Sequence, residues 1–257
     1  MSAVHHRIAP SVATVSSVAS LFAYDCDHDG PAVSIPRPEI HLVARFGPSA
    51  QSGLDVHALG VRQRVQRKFI HSGQRIVIAR LRLGAPDAVL GVPAPALSGR
   101  IVALADLWGD AVTRRLCARL ADARDTVDAA AVLDGAIAER LATADRRLTH
   151  APLALTAADR LTRANVTAVA ADLGVSERHL RRLFRETVGV SPKAFARLSR
   201  FHRALRAARA DPHANWASIA AAAGYYDQAH LIAEFRAITG VTPRELLSEL
   251  RAATSVG

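Results

Sequence analysis

Cysteine is almost missing from this chain of 257 residues, which holds only Cys26 and Cys117. Two thiols argue against the disulfide framework of a small secreted domain and suit a reducing, cytoplasmic location. Nothing near either marks a low-pKa thiolate, so a buried thiol is the expectation for both. No apolar run reaches the ~20 residues a membrane-spanning helix needs, so no membrane partner is expected. The uncharged stretch from Ile8 to Ala23 follows Arg7 but is broken by Pro10 and by serines and threonines; it is expected to be folded structure containing a strand rather than a leader. Catalytic signatures are lacking too: there is no nucleophile elbow, phosphate-binding glycine loop or zinc spacing, and neither an enzyme nor a cofactor is expected. Acidic residues are outnumbered, 23 against 33 Lys and Arg, leaving a net charge of +10. Such a balance implies an anionic partner, nucleic acid first.

What is present is a repeat. Gly174-Val175-Ser176, His179-Leu180, Phe184-Arg185 and Gly189-Val190-Ser191-Pro192 return as Gly224-Tyr225-Tyr226, His230-Leu231, Phe235-Arg236 and Gly240-Val241-Thr242-Pro243. From His179 to Pro192 the copies align at a constant offset of 51, with one residue inserted between Gly224 and His230. One supersecondary unit is used twice. Each copy reads as helix, glycine turn, helix, the helix-turn-helix pattern, over about 167–188 and 216–239. Ser176 is placed to cap the second helix of the first copy and Gly189 to end it. Ser191 and Pro192 then start the next helix; Thr242, Pro243 and Glu245 repeat that start with a capping box.

The face opposite the apolar stripe decides the function. Arg178, Arg181, Arg182 and Arg185 fall at i, i+3, i+4 and i+7, one stripe pointing away from Leu180, Leu183 and Phe184. The bland reading is a solvated charged face. Four guanidiniums within two turns repel one another, however, and the stripe is expected to lack carboxylate relief along the helix. A DNA major groove offers guanine edges and phosphates that match the arginine fork.

With these motifs, roughly Thr156 to Arg251 resembles the AraC/XylS family of bacterial transcription regulators: paired helix-turn-helices, Ser-x-x-x-Leu-x-x-x-Phe in the first recognition helix and Gly-Val-Ser/Thr-Pro after each. The resemblance implies seven helices, with one long helix from Pro192 to about Arg209 bridging the units. It also implies that Arg178, Arg181 and Arg182 read bases, with Ser176 beside them and Arg185 on phosphate. The second copy departs from the pattern, because the equivalent positions are Ala229, Ile232, Ala233 and Arg236. Gln228 and Arg236 are its polar candidates, and Ile232 can touch a thymine methyl. Charge follows the same division: residues 156–210 hold twelve Arg or Lys against four Asp or Glu, and 211–257 three against five. The first unit should supply most of the attraction and most of the specificity.

Before this domain, expected at 156–257, short β-rich runs near Ile40–Phe46, Leu54–Val61, Val65–Ile70 and Arg75–Leu83 suggest a small antiparallel barrel or sandwich. Helices follow at Pro86–Leu90, Trp108–Leu120 and Val127–Leu141. The fold class is therefore α+β, with a sensing or dimerisation domain at 1–142, a linker at 143–155, and Thr156 with Asp159 as a capping box opening the helical domain. This half resembles a shortened cupin-like domain. Asp25, Asp27, Asp29 and Gly30 mimic the start of a calcium loop, but Pro36 stands where the bidentate Glu belongs. His41, His57 and His71 lack the close pair expected of a cupin metal site, and no metal is expected.

The partners expected are double-stranded DNA, a small-molecule effector held by the N-terminal half, a homodimer formed through the Leu133, Ile137, Leu141 stripe unless that stripe packs inside its own domain, and RNA polymerase for an activator. Two other readings stay open: a low-specificity architectural DNA binder, and a cupin-type metalloenzyme attached to a DNA-binding domain.

Overall fold

The structure, a computed structural model, describes residues 4–143, 151–211 and 215–253. Eight strands lie among the described residues, the last of them after two short helices: β1 (Val4–Ile8), β2 (Val18–Asp25), β3 (Gly30–Ser34), β4 (His41–Phe46), β5 (Leu54–Leu59), β6 (Gln66–Ile70), β7 (Arg75–Leu81) and β8 (Ile101–Ala103). Six of them form one antiparallel sheet in the order β1-β2-β7-β4-β5-β8, while β3 and β6 pair as a separate ribbon. The sheet has two edges, β1 and β8, and does not close on itself. The four β-rich runs all became strands, and the stretch from Ile8 to Ala23 supplies most of β2.

Helices α1 (Pro86–Leu90), α2 (Ala94–Leu97), α3 (Leu104–Trp108), α4 (Asp110–Ala121) and α5 (Thr126–Thr143) follow. The single helix expected from Trp108 to Leu120 is two, because Gly109 at φ +81° interrupts the helical backbone between α3 and α4. Helix α5 packs across β2 and β7, burying Ala129, Leu133, Ala136 and Ile137 in the core that holds Leu21, Val77 and Ala79. Its stripe is therefore internal: Leu133 and Ile137 are fully buried and Leu141 packs against the same core. The alternative to the dimer seam holds, since those side chains already have their partners.

Seven helices complete the fold, as the resemblance implied: α6 (Ala151–Leu161), α7 (Val166–Asp172), α8 (Glu177–Val188), α9 (Pro192–Ala210), α10 (Trp216–Ala223), α11 (Gln228–Thr239) and α12 (Pro243–Ala252). Residues 144–150 of the expected linker lie outside the described residues, and 151–155 are already helix. Thr156 caps nothing; it sits inside α6, where its hydroxyl donates to the Pro152 carbonyl at 2.9 Å. Pro152 is tolerated because it lies in the first turn, where the helix lacks N–H partners in any case.

Packing does not stop at the boundary between the two sequence patterns. Leu180, Phe184 and Val188 of the first helix-turn-helix unit, with Phe195 and Leu198 of α9, belong to the same core as the sheet and α5. A second core gathers Phe201, Leu205, Ile219, Leu231 and Phe235, joined by Val33 from β3. Helix α9 runs through both, so its burial rather than its length holds the two units together.

Candidate nucleic-acid interface

The expected first recognition helix is α8, and local chemistry fixes both its ends. The Ser176 hydroxyl accepts from the His179 amide at 3.1 Å, and Gly189 closes the helix at φ +84°. Gly189 is required twice over. A Cβ there would stand 2.8 Å from the Ser98 hydroxyl and 2.9 Å from the Ala94 carbonyl oxygen, because α2 presses against the helix end. With Leu180, Leu183, Phe184 and Val188 turned inward, Arg178, Arg181, Arg182 and Arg185 are all exposed on the other face. Periodicity located this stripe correctly.

One electrostatic expectation fails. Glu177, four residues before Arg181, pairs with its guanidinium and also accepts from the Thr167 hydroxyl. The stripe thus has carboxylate relief at one position, in the favourable order of Glu N-terminal to Arg. The same carboxylate ties α7 to α8 across the turn. Arg182 reaches the His179 ring at 3.3 Å, while Arg178 and Arg185 have no partner among the described residues.

The expected second recognition helix, α11, is capped by Asp227, whose carboxylate accepts from the His230 amide at 2.7 Å. Asp227 stands 51 residues after Ser176, so the repeat offset itself identified this cap, although sequence reasoning did not use it. Gln228 begins the helix and is exposed, as are Ala229, Ala233 and Arg236. Ile232 is half-buried against the second core, which takes up part of the surface a thymine methyl would need. Glu234, on the inner side, meets Arg200 at 3.0 Å and Arg197 at 3.7 Å, fastening α11 to α9. Arg203 of α9 also donates to the carbonyls of Thr162 and Ala223. The bridging helix thereby binds both units by charge-assisted hydrogen bonds.

The N-terminal half touches the far ends of both recognition helices. The Ser98 hydroxyl donates to the Gly189 carbonyl behind α8. Behind α11, the Val65 amide donates to Ile238 O at 2.9 Å, and Arg67 donates to Thr239 O at 2.9 Å while pairing with Glu249. His202 of α9 lies 2.7 Å from the Pro36 carbonyl oxygen; burial and the neighbouring Arg37 pull it down to about 4, so it is neutral and donates.

Between the halves lies a cavity of about 720 Å³. Arg163, Arg203 and Arg206 face it from the helical side and Arg37 and Glu39 from the sheet side, with Val33, Ile35, Phe195 and Leu205 as apolar walls. Burial presses the Arg203 guanidinium below its ordinary range.

The other N-terminal candidates do not converge. Asp25 accepts from the Thr126 hydroxyl, Asp27 pairs with His28, and Asp29 accepts from the Ser72 amide. His41 is buried and pulled down to about 3 by desolvation and by Arg80; His57 lies beside Asp55 and His71 near Asp29. Among the described residues no group of three His, Cys, Asp or Glu is placed to hold a metal, and no helix is long and apolar enough to cross a membrane. Burial raises both thiols, Cys26 and Cys117, above their ordinary value.

Comparison with known proteins follows this geometry. A family model described as a helix-turn-helix domain matches residues 169–249, spanning both repeat copies. This stretch matches a helix-turn-helix domain. Solved structures similar to this chain include the C-terminal domain of AraT, a response regulator from Geobacillus stearothermophilus, at 23% identity and TM-score 0.35, covering 38% of this chain and 84% of that one. An AraC-type transcriptional regulator from Chromobacterium violaceum is similar at 24% identity and TM-score 0.34, covering 38% and 91%. ToxT from Vibrio cholerae O395 is similar over 91% of this chain and 97% of its own, at 10% identity and TM-score 0.41. No curated protein matches the chain.

Proposed function

We propose that this protein is a sequence-specific transcription regulator that reads the major groove mainly through α8. The observation that carries the reading is the contrast between two capped, equivalent helices: α8 exposes four arginines, and α11 exposes Ala229, Ala233 and a single arginine, Arg236. Arg178, Arg181 and Arg182 are the base readers and Arg185 a phosphate contact; Ser176 still has its hydroxyl proton to donate to a phosphate. Two recognition helices on one chain suit an asymmetric site, its halves about 34–36 Å apart. A homodimer would form through a face other than the α5 stripe, and an activator would also meet RNA polymerase.

The test is selection from random duplexes followed by substitution of each base pair in the preferred site. Penalties of ~1–3 kcal/mol per base pair should cluster in one half. Arg236→Ala should weaken all duplexes about equally and flatten the salt dependence by roughly one unit. Equal stringency in both halves would overturn the assignment to α8, and a failure to select any sequence would favour the architectural reading.

The effector site belongs in the cavity between the halves. Its excess of guanidiniums over one carboxylate, with apolar walls, fits an organic anion, such as a carboxylate or phosphate on an apolar body. A ligand of this kind at a hundred times its Kd should stabilise the chain by about 2.7 kcal/mol, seen as a rise in melting temperature that Arg206→Glu abolishes. A panel of organic carboxylates and phosphates that raises the melting temperature of both chains equally would place binding elsewhere.

A further inference from the structure

The two copies of the repeat differ by one inserted residue, and the structure identifies which. In the first turn the Val175 amide donates to Ala170 O at 3.0 Å, and Ser176 then caps α8. In the second the Tyr225 amide donates to Ala220 O at 2.9 Å, and Asp227 caps α11. Val175 and Tyr225 therefore play one role, each packed inward against its own core. Ser176 and Asp227 play the next. The residue left over is Tyr226.

Its side chain has no role in the fold. Tyr226 is 93% exposed, whereas Tyr225 beside it is 5% exposed. Yet its backbone is held rigidly, between the buried Tyr225 and the Asp227 cap. The ring is thus presented from a fixed position immediately before the first turn of α11. In a helix-turn-helix it is this N-terminal end of the recognition helix that enters the major groove. A residue one step before the cap stands at the rim of the groove, against the sugar-phosphate wall rather than over the base edges. Tyrosine is suited to that place, since its ring covers sugar and its hydroxyl donates to a phosphate oxygen.

We infer that Tyr226, the residue inserted into the second turn, is a DNA-backbone contact that anchors the recognition helix lacking the arginine stripe. The inference rests on the reading of the domain as a DNA reader. It gives the second unit an uncharged contact that holds register while α8 supplies the base preference. Because the donor is neutral it releases no counterion, so its contribution should be insensitive to salt, unlike that of Arg236.

The test uses the full chain and the duplex it selects from a random pool. Binding is measured at several salt concentrations for wild type, Tyr226→Phe, Tyr226→Ala and Arg182→Ala. Tyr226→Phe should weaken binding by about tenfold, as loss of one charge-assisted hydrogen bond would. Tyr226→Ala should weaken it further, with an unchanged salt slope, unchanged base preference and an unchanged melting temperature. Phosphate-ethylation interference should disappear at one phosphate in the half bound by α11. If Tyr226→Ala binds like wild type while Arg182→Ala is weakened, Tyr226 is not a contact and the reading of α8 stands. A shift in base preference for Tyr226→Ala would overturn the backbone assignment. Should wild type itself select no duplex, the domain reading falls and this inference with it.

Discussion

Phe201→Ala should destabilise the protein by ~3–5 kcal/mol, the cost of removing a buried aromatic ring. Phe201 is fully buried at the centre of the second core, its ring centroid 4.7 Å from that of Phe235, which in turn packs edge-on against Trp216 at 6.4 Å. No small shift refills that space, because its neighbours include the Phe235 and His202 rings in a close-packed core. A loss of this size is a large part of the ~5–15 kcal/mol that holds a domain folded. Urea denaturation followed by hydrogen exchange should show early opening of α10 and α11, whose apolar faces lie in this core, while α8, packed on the sheet core, stays protected. Simultaneous loss of protection in α8 and α11 would mean that the two cores melt as one.

Arg182→Ala should cost ~1–3 kcal/mol of specific binding and relax preference at one or two base pairs. Arg182 is central in the stripe and exposed, and it approaches the His179 ring at 3.3 Å, a contact that a guanine edge would readily replace. Arg181 makes the instructive comparison. Its guanidinium is held by Glu177, so reading a base requires that pair to open or turn, and Arg181→Ala should cost less than Arg182→Ala. Binding to the selected duplex and to one with a scrambled site, at constant salt, checks both. A uniform loss on the two duplexes would make Arg182 a phosphate contact instead.

What could be read from the chain is what local chemistry dictates. Ser176, Gly189, Ser191, Pro192 and the Thr242–Glu245 capping box all fall where turn and cap preferences put them, and each is realised. The arginine stripe followed from helical period alone. Thr156 shows the limit of pattern: it matches a capping sequence, but α6 had already begun five residues earlier, and a helix interior has no free amides to cap. Glu177 is legible in the sequence by its spacing of four residues from Arg181. The joins between the halves were not legible at all. Val65 N, Gly189 O, Ile238 O, Pro36 O and Thr239 O are backbone atoms, which every residue possesses, so no residue type announces them.

On the proposed function, those joins give the sheet a part in measuring DNA. A duplex advances about 3.4 Å for each base pair, so two reading heads accept a site only if their separation is fixed to within a fraction of that step. Two connections span the two units: helix α9, and the N-terminal half, which places Ser98 at the end of α2 against one unit and Val65 and Arg67, at the start of β6, against the other. A triangulated frame of this kind resists bending in a way a single helix does not. It also means that moving the sheet by a small distance against α9 changes the spacing between the two units.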